Sequence, residues 1–196
     1  MAAVGIHFGP AAKRQYVSLY SQEVLAAVMK HAGVHTLWIT STYRDAHDQA
    51  RVMVHNIEQK GMKHQKTLYR GTPGARILES FAREAAAIAE AARRGINTGL
   101  PPGFVMQRHM IGVIEREIDR MGPENVSRHS GIQGILNVFD VAPESLIPNR
   151  RSAFHQAALH DPRVTRIIPP PRDPAFHFEI AQIGDFNIDP RARETA

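Results

Sequence analysis

The chain of 196 residues contains no cysteine, which excludes disulfides and thiolate zinc sites. Any bound metal must therefore be held by the 11 histidines and by carboxylates. Long apolar runs are also missing, since no stretch approaches the ~20 residues that span a bilayer. The N-terminal sequence Met-Ala-Ala-Val-Gly-Ile-His-Phe lacks a basic head followed by an apolar run, so no export signal is expected.

Acidic residues are the scarcer charge, with 19 Asp and Glu against 24 Lys and Arg, a formal net charge of +5. Such a balance favours anionic partners, whether nucleic acid or the polymers of a cell wall. Nucleic-acid binding would fall to the basic region from Lys60 to Arg76, but no interleaved aromatics or known fingerprint support it there. The length predicts one domain over residues 1–196.

Hydrophobic periodicity and turn residues predict the order of elements along the chain. Helices are predicted at Tyr16–Met29, Ala46–Gln59, Arg76–Arg94, Phe104–Met121 and, capped by Asn149, Arg150–Leu159. Extended segments are predicted at Val4–Phe8, Thr36–Thr40, Val126–His129, Leu136–Val141, Val164–Ile168 and Ala175–Gln182, and a basic loop at Lys60–Gly74. This order predicts an α+β fold in which helices pack on a small, mainly antiparallel sheet.

The final predicted strand separates apolar from chemically active side chains. His177 and Glu179 are two residues apart and share one face, whereas Phe176 and Phe178 point to the other. If Asp140 ends its strand toward the same face, beside His129, two imidazoles and one carboxylate can converge. That set suits a zinc ion and leaves a fourth position for water. The base that would take the proton of that water stays open between Asp173 and Glu179.

A family resemblance assigns roles to these residues. The segment Ile-Thr-Ser-Thr-Tyr-Arg that ends at Arg44 resembles a segment of the zinc D-alanyl-D-alanine carboxypeptidase and L-alanyl-D-glutamate endopeptidase family, which includes VanY-like enzymes and phage endolysins. The pattern around Ser127, His129 and Asp140, and the closing His177-Phe178-Glu179, are similar to that family's two zinc-ligand motifs and follow in its order.

The resemblance implies His129, Asp140 and His177 as zinc ligands and Arg44 as the residue that faces the substrate. We expect Ser127 to donate a hydrogen bond that orients the ligands. The resemblance also implies a hedgehog/DD-peptidase-like fold, to which this chain adds a helical insertion over about residues 57–122. The interval from His129 to Asp140 is longer than in the family, which predicts a loop between them. Pro174 stands where the family has its catalytic carboxylate.

Two functions follow as expectations. The first is a zinc-dependent peptidase that cleaves stem or cross-link peptides of peptidoglycan, as an endolysin or virion-associated lytic enzyme present in host cytoplasm or a phage particle. The alternative is a non-catalytic member of the same fold that acts as a binding or structural/assembly protein, for which the insertion would be a docking element. The displaced carboxylate and the stretched interval motivate this alternative.

Overall fold

The computed structural model describes residues 5–183. Its strands are β1 (Gly5–Phe8), β2 (Thr36–Ser41), β3 (Leu136–Val141), β4 (Val164–Ile168) and β5 (Phe176–Ala181). Its helices are α1 (Leu19–Ala32), α2 (Ala46–Leu68), α3 (Gly74–Arg93), α4 (Phe104–Met121), α5 (Pro123–Val126) and α6 (Arg151–His160). The chain divides into two compact units, residues 5–43 with 131–183 and residues 44–130.

The first unit is built on one five-stranded sheet in the order β1-β2-β3-β5-β4. β1 and β2 are parallel, with α1 between them in the chain, as a parallel pair requires a crossover connection. The pairs β2–β3, β3–β5 and β4–β5 are antiparallel. The predicted α+β class with a mainly antiparallel sheet is therefore confirmed. Val4, at the start of the predicted first strand, lies outside the described residues.

The core of this unit lies on one face of the sheet, which packs with α1 and α6. Phe178 of β5 stacks on Phe139 of β3 with ring centroids 5.4 Å apart, and Phe154 of α6 meets Phe178 edge-on at 5.7 Å. Phe176 belongs to the same cluster. The alternation predicted for the last strand therefore places its aromatic side chains in the core and leaves His177 for the opposite face.

Local signals set the ends of α1 more sharply than periodicity does. The Ser18 hydroxyl accepts a hydrogen bond from the Ser21 amide and caps the helix, so α1 begins at Leu19 rather than at Tyr16. Gly33 ends it with a φ of 64°, a left-handed conformation that costs glycine little. Tyr16 belongs instead to a short 3-10 helix at Arg14–Tyr16.

The second unit is helical. Its core is formed by buried side chains of α2, α3 and α4, including Met53, Ile77, Leu78, Ile114 and Ile118. The loop predicted at Lys60–Gly74 is wrong as far as Leu68, where α2 ends, and the loop that is present covers residues 69–73. Gly61, with a φ of 81°, interrupts the helical geometry once, and Gln65 beyond it is buried. In the sequence, Gly61 and the neighbouring lysines favour a surface loop and do not indicate that Gln65 is buried.

Two further local predictions are wrong. Val126–His129 is not extended, because α5 ends at Val126 and a 3-10 helix follows at Arg128–Ser130. Asn149 does not cap α6; it lies within a 3-10 helix at Pro148–Arg150, whose proline sets a turn of its own. Among the described residues, no helix is long and apolar enough to cross a membrane.

Candidate metal centre

Asp140 and His177 lie opposite each other on the neighbouring strands β3 and β5. Directly opposed side chains on one face of an antiparallel pair come into contact, and Nδ1 of His177 lies 3.0 Å from Oδ1 of Asp140. Both residues are buried, with 7% of His177 and 8% of Asp140 exposed. The strand register alone therefore assembles an imidazole and a carboxylate that are far apart in sequence.

Glu179 contacts the other nitrogen of the same ring. Its Oε1 lies 3.4 Å from Nε2 of His177, as expected for two residues on one face of a strand. Glu179 is 1% exposed. On the far side of β5, Arg166 of β4 reaches the same carboxylate, with Nη1 3.6 Å from Oε1. The imidazole of His177 is thus held between two carboxylates.

These carboxylates determine the protonation of His177. Burial opposes the charged imidazolium and so lowers its pKa, but the hydrogen bonds to Asp140 and Glu179 and the nearby negative charges together outweigh burial. The negative charges of Asp140 and Asp173 act in the same direction, and the pKa rises to about 9. Without a bound cation, His177 is therefore a positively charged imidazolium at neutral pH, and a divalent ion would replace that positive charge.

His129 completes a group with the two strand residues. It lies in the 3-10 helix Arg128–Ser130 and is buried, at 5% exposure. One ligand atom each from His129, Asp140 and His177 lie within 4.8 Å of one another, and this buried group could hold a metal ion. Imidazole nitrogens and a carboxylate oxygen suit zinc and similar divalent ions. The same three residues are the ligands that the sequence pattern and the resemblance predict, and their role as zinc ligands stays a prediction.

The loop between His129 and β3 accommodates the stretched interval. Gly131 to Ile135 form turns, and the amides of Ile135 and Leu136 both donate to the carbonyl of Ile132 before β3 begins. Asn137, at the start of the strand, is fully buried and donates from its amide to the Tyr16 carbonyl. The extra residues therefore leave the pairing of β3 with β5 unbroken from Leu136 to Val141.

Asp173, the other candidate base, lies in the connection between β4 and β5. Its carboxylate accepts a hydrogen bond from the Ala175 amide at 3.0 Å, a turn contact that fixes its direction. The residue is half-buried, and its charge contributes to the raised pKa of His177. Asp173 is therefore electrostatically coupled to the group while keeping access to solvent.

Arg44 and Ser127 both lie in the second unit, near His129. The Arg44 amide donates to the His129 carbonyl at 3.1 Å, and its guanidinium donates to Gln49 at 3.4 Å. Burial raises the pKa of Tyr69, and the nearby charge of Arg44 opposes that rise in part. The Ser127 carbonyl accepts from the Ser130 amide and so starts the turn that carries His129. The substrate and hydroxyl roles predicted for these residues stay predictions.

Sequence reasoning missed Arg166. It stands between Thr165 and Ile167 in β4, and only the pairing of β4 with β5 places it beside Glu179. A charged residue in a short strand with Val164, Ile167 and Ile168 was the one available signal.

Comparison of the chain with protein-family models, curated proteins and solved structures found no match.

Proposed function

We propose that the protein is a zinc-dependent peptidase that cleaves stem or cross-link peptides of peptidoglycan. The observation that carries the proposal is the buried group His129, Asp140 and His177, whose ligand atoms lie within 4.8 Å of one another. The sequence resemblance to zinc D-alanyl-D-alanine carboxypeptidases and L-alanyl-D-glutamate endopeptidases supplies the substrate class. A bound zinc ion would acidify water and polarise a peptide carbonyl.

The chain's own residues supply the remaining parts of the reaction. Asp173 or Glu179 accepts the proton of the attacking water and returns it to the leaving amine. Arg44 binds a substrate carboxylate, that of D-glutamate or of a terminal D-alanine, through its guanidinium fork. The positive net charge favours approach to the anionic wall polymer. These roles require no cysteine chemistry.

The test is turbidity loss of purified cell walls, measured with and without a chelator. We expect lysis by the zinc-loaded protein, loss of lysis after chelation, and recovery when zinc is added back. His129→Ala should abolish lysis. His47→Ala is the matched control, because this exposed histidine pairs with Glu115 instead of joining the metal group. Lysis that persists after chelation would contradict the proposal.

One feature favours the alternative, a non-catalytic binding or assembly protein. The buried Glu179 already contacts His177 and Arg166, and Asp173 accepts a bond from the Ala175 amide, so both candidate bases are engaged. Metal analysis combined with the lysis assay separates the two functions. Stoichiometric zinc with no cleavage of any wall preparation would favour the binding protein.

A further inference from the structure

Glu179 occupies an unusual position for a catalytic base. It lies in the middle of β5, opposite Val138 on one neighbouring strand and Arg166 on the other, and is 1% exposed. A buried carboxylate is costly unless charged or hydrogen-bonding partners surround it. Its Oε1 contacts Nε2 of His177 at 3.4 Å and Nη1 of Arg166 at 3.6 Å. The residue is thus directed at the imidazole and at a cation.

The two nitrogens of His177 face different carboxylates. Nδ1 lies 3.0 Å from Asp140, itself a member of the metal group, and Nε2 faces Glu179. A proton on Nε2 donates to Glu179 and leaves the Nδ1 lone pair beside Asp140, where a shared ion would be held. Metal-binding imidazoles commonly donate their second N–H to a carboxylate, which fixes the tautomer and ring orientation. Glu179 stands in that relation to His177.

Arg166 contacts Glu179 from the neighbouring strand at the edge of the sheet. It lies on β4, the edge strand of the sheet, in register with Glu179, and its side chain is 50% exposed. Its guanidinium therefore offsets the charge of a carboxylate that has almost no contact with solvent. Because Arg166 reaches His177 only through Glu179, any effect it has on the imidazole has to be indirect.

We propose that Glu179 is a positioning residue that orients His177 for metal binding, that Arg166 holds Glu179 in place, and that Asp173 is the base. This inference rests on the proposed metal-dependent function. A base must approach the attacking water to within about 2.6–3.2 Å. The half-buried Asp173 keeps solvent access, whereas Glu179 points its contacting oxygen at the imidazole from within the sheet.

The test is the zinc affinity of the full chain, measured by competition with a chromogenic chelator. Glu179→Gln should weaken zinc binding about 10–100-fold, because the amide is a poorer acceptor for the imidazole N–H. Arg166→Met should weaken it by about three- to five-fold, and Arg166→Lys should restore most of that loss. Arg163→Met is the matched control, since Arg163 forms a comparable half-exposed ion pair with Asp161.

A double-mutant cycle shows whether Arg166 acts through Glu179. In the Glu179→Gln background, Arg166→Met should have little further effect on zinc affinity. Equal effects in both backgrounds would overturn the role of Arg166. Arg166 is half-exposed, so its variants test the pair even if Glu179→Gln does not fold.

The remaining outcomes distinguish this inference from the proposed function. Wild-type zinc affinity in Glu179→Gln, with wall lysis lost, would identify Glu179 as the base and overturn the positioning role. Lysis retained in Asp173→Asn would also overturn the assignment. If the wild-type chain binds no zinc, the proposed function fails together with the inference.

Discussion

If the group binds zinc as proposed, replacing Asp140 by asparagine should abolish most of the stabilisation that the ion would give to the folded protein. Asp140 contributes the one carboxylate of the group, and its Oδ1 already lies 3.0 Å from Nδ1 of His177. Ligand atoms of a tetrahedral zinc ion lie about 3.3–3.4 Å apart when each bond is 2.0–2.1 Å. The two atoms are thus nearly at the separation that zinc requires, and Asp140→Asn replaces the charged carboxylate by a neutral amide.

The magnitude follows from linkage between binding and folding. Zinc at 100 times its dissociation constant stabilises the folded protein by about 2.7 kcal/mol. For a chain of this size, that corresponds to a rise in Tm of about 5–11 °C. An amide oxygen is a weak zinc ligand, so two imidazoles remain and the rise for Asp140→Asn should fall to a small fraction of that value.

The assay is thermal unfolding of metal-free protein with increasing zinc, in which the zinc-induced change in Tm is compared between variants. Asp161→Asn serves as the control, because it removes a carboxylate that pairs with Arg163 and does not belong to the metal group. It should keep the full rise. An equal rise in Asp140→Asn and wild type would refute the reasoning, as would the lack of any rise in wild type.

Three further predictions concern the core, the surface and the substrate. Phe178→Ala should lower the free energy of unfolding by about 3–5 kcal/mol in urea denaturation, because this fully buried ring packs against two others; a loss below about 1 kcal/mol would contradict the packing. The Arg163 hydrogen bond, opposed only in part by burial, lowers the pKa of Asp161, so its stabilising effect is present above pH ~4 and is lost as pH falls through the lowered pKa. The stability difference between wild type and Asp161→Asn, less than about 1 kcal/mol for a pair at the surface, should therefore shrink in acid, and growth of that difference would oppose the assignment. Arg44→Met should slow wall lysis while zinc affinity is kept, because the bond to His129 comes from the backbone amide; unchanged lysis would remove Arg44 from the substrate site.

Much of the fold follows from local patterns. The boundaries of α4, β3 and β4 were predicted to the residue, because α4 has an apolar repeat of helical period, β3 and β4 are rich in β-branched or aromatic residues, and glycine or proline lies near the ends of all three. The alternation in β5 also fixed which side chains share a face, since a period of two leaves no choice once the strand forms. The loop predicted between His129 and Asp140 is present for a similar reason, because glycines and polar residues there favour turns.

Other features differ from what residue propensity predicts. Local pattern favoured a loop after Lys60, yet burial of Gln65 accompanies the continuation of α2 past Gly61. The extended structure predicted before His129 is instead a 3-10 turn, closed by a bond from the Ser130 amide to the Ser127 carbonyl. Burial within the helical unit accompanies the first difference, whereas the second is a local turn that residue propensity did not predict.

The sequence by itself determined which residue types could bind a metal: with no cysteine, only histidine and carboxylate side chains were available, and their strand positions set the faces on which His177 and Glu179 lie. Tertiary structure alone decided their partners. The register of β3 against β5 puts Asp140 on one nitrogen of His177, and that of β4 against β5 puts Arg166 beside Glu179. The physical reason is that strand period is a local property, whereas register depends on backbone pairing and core packing between segments distant in the chain.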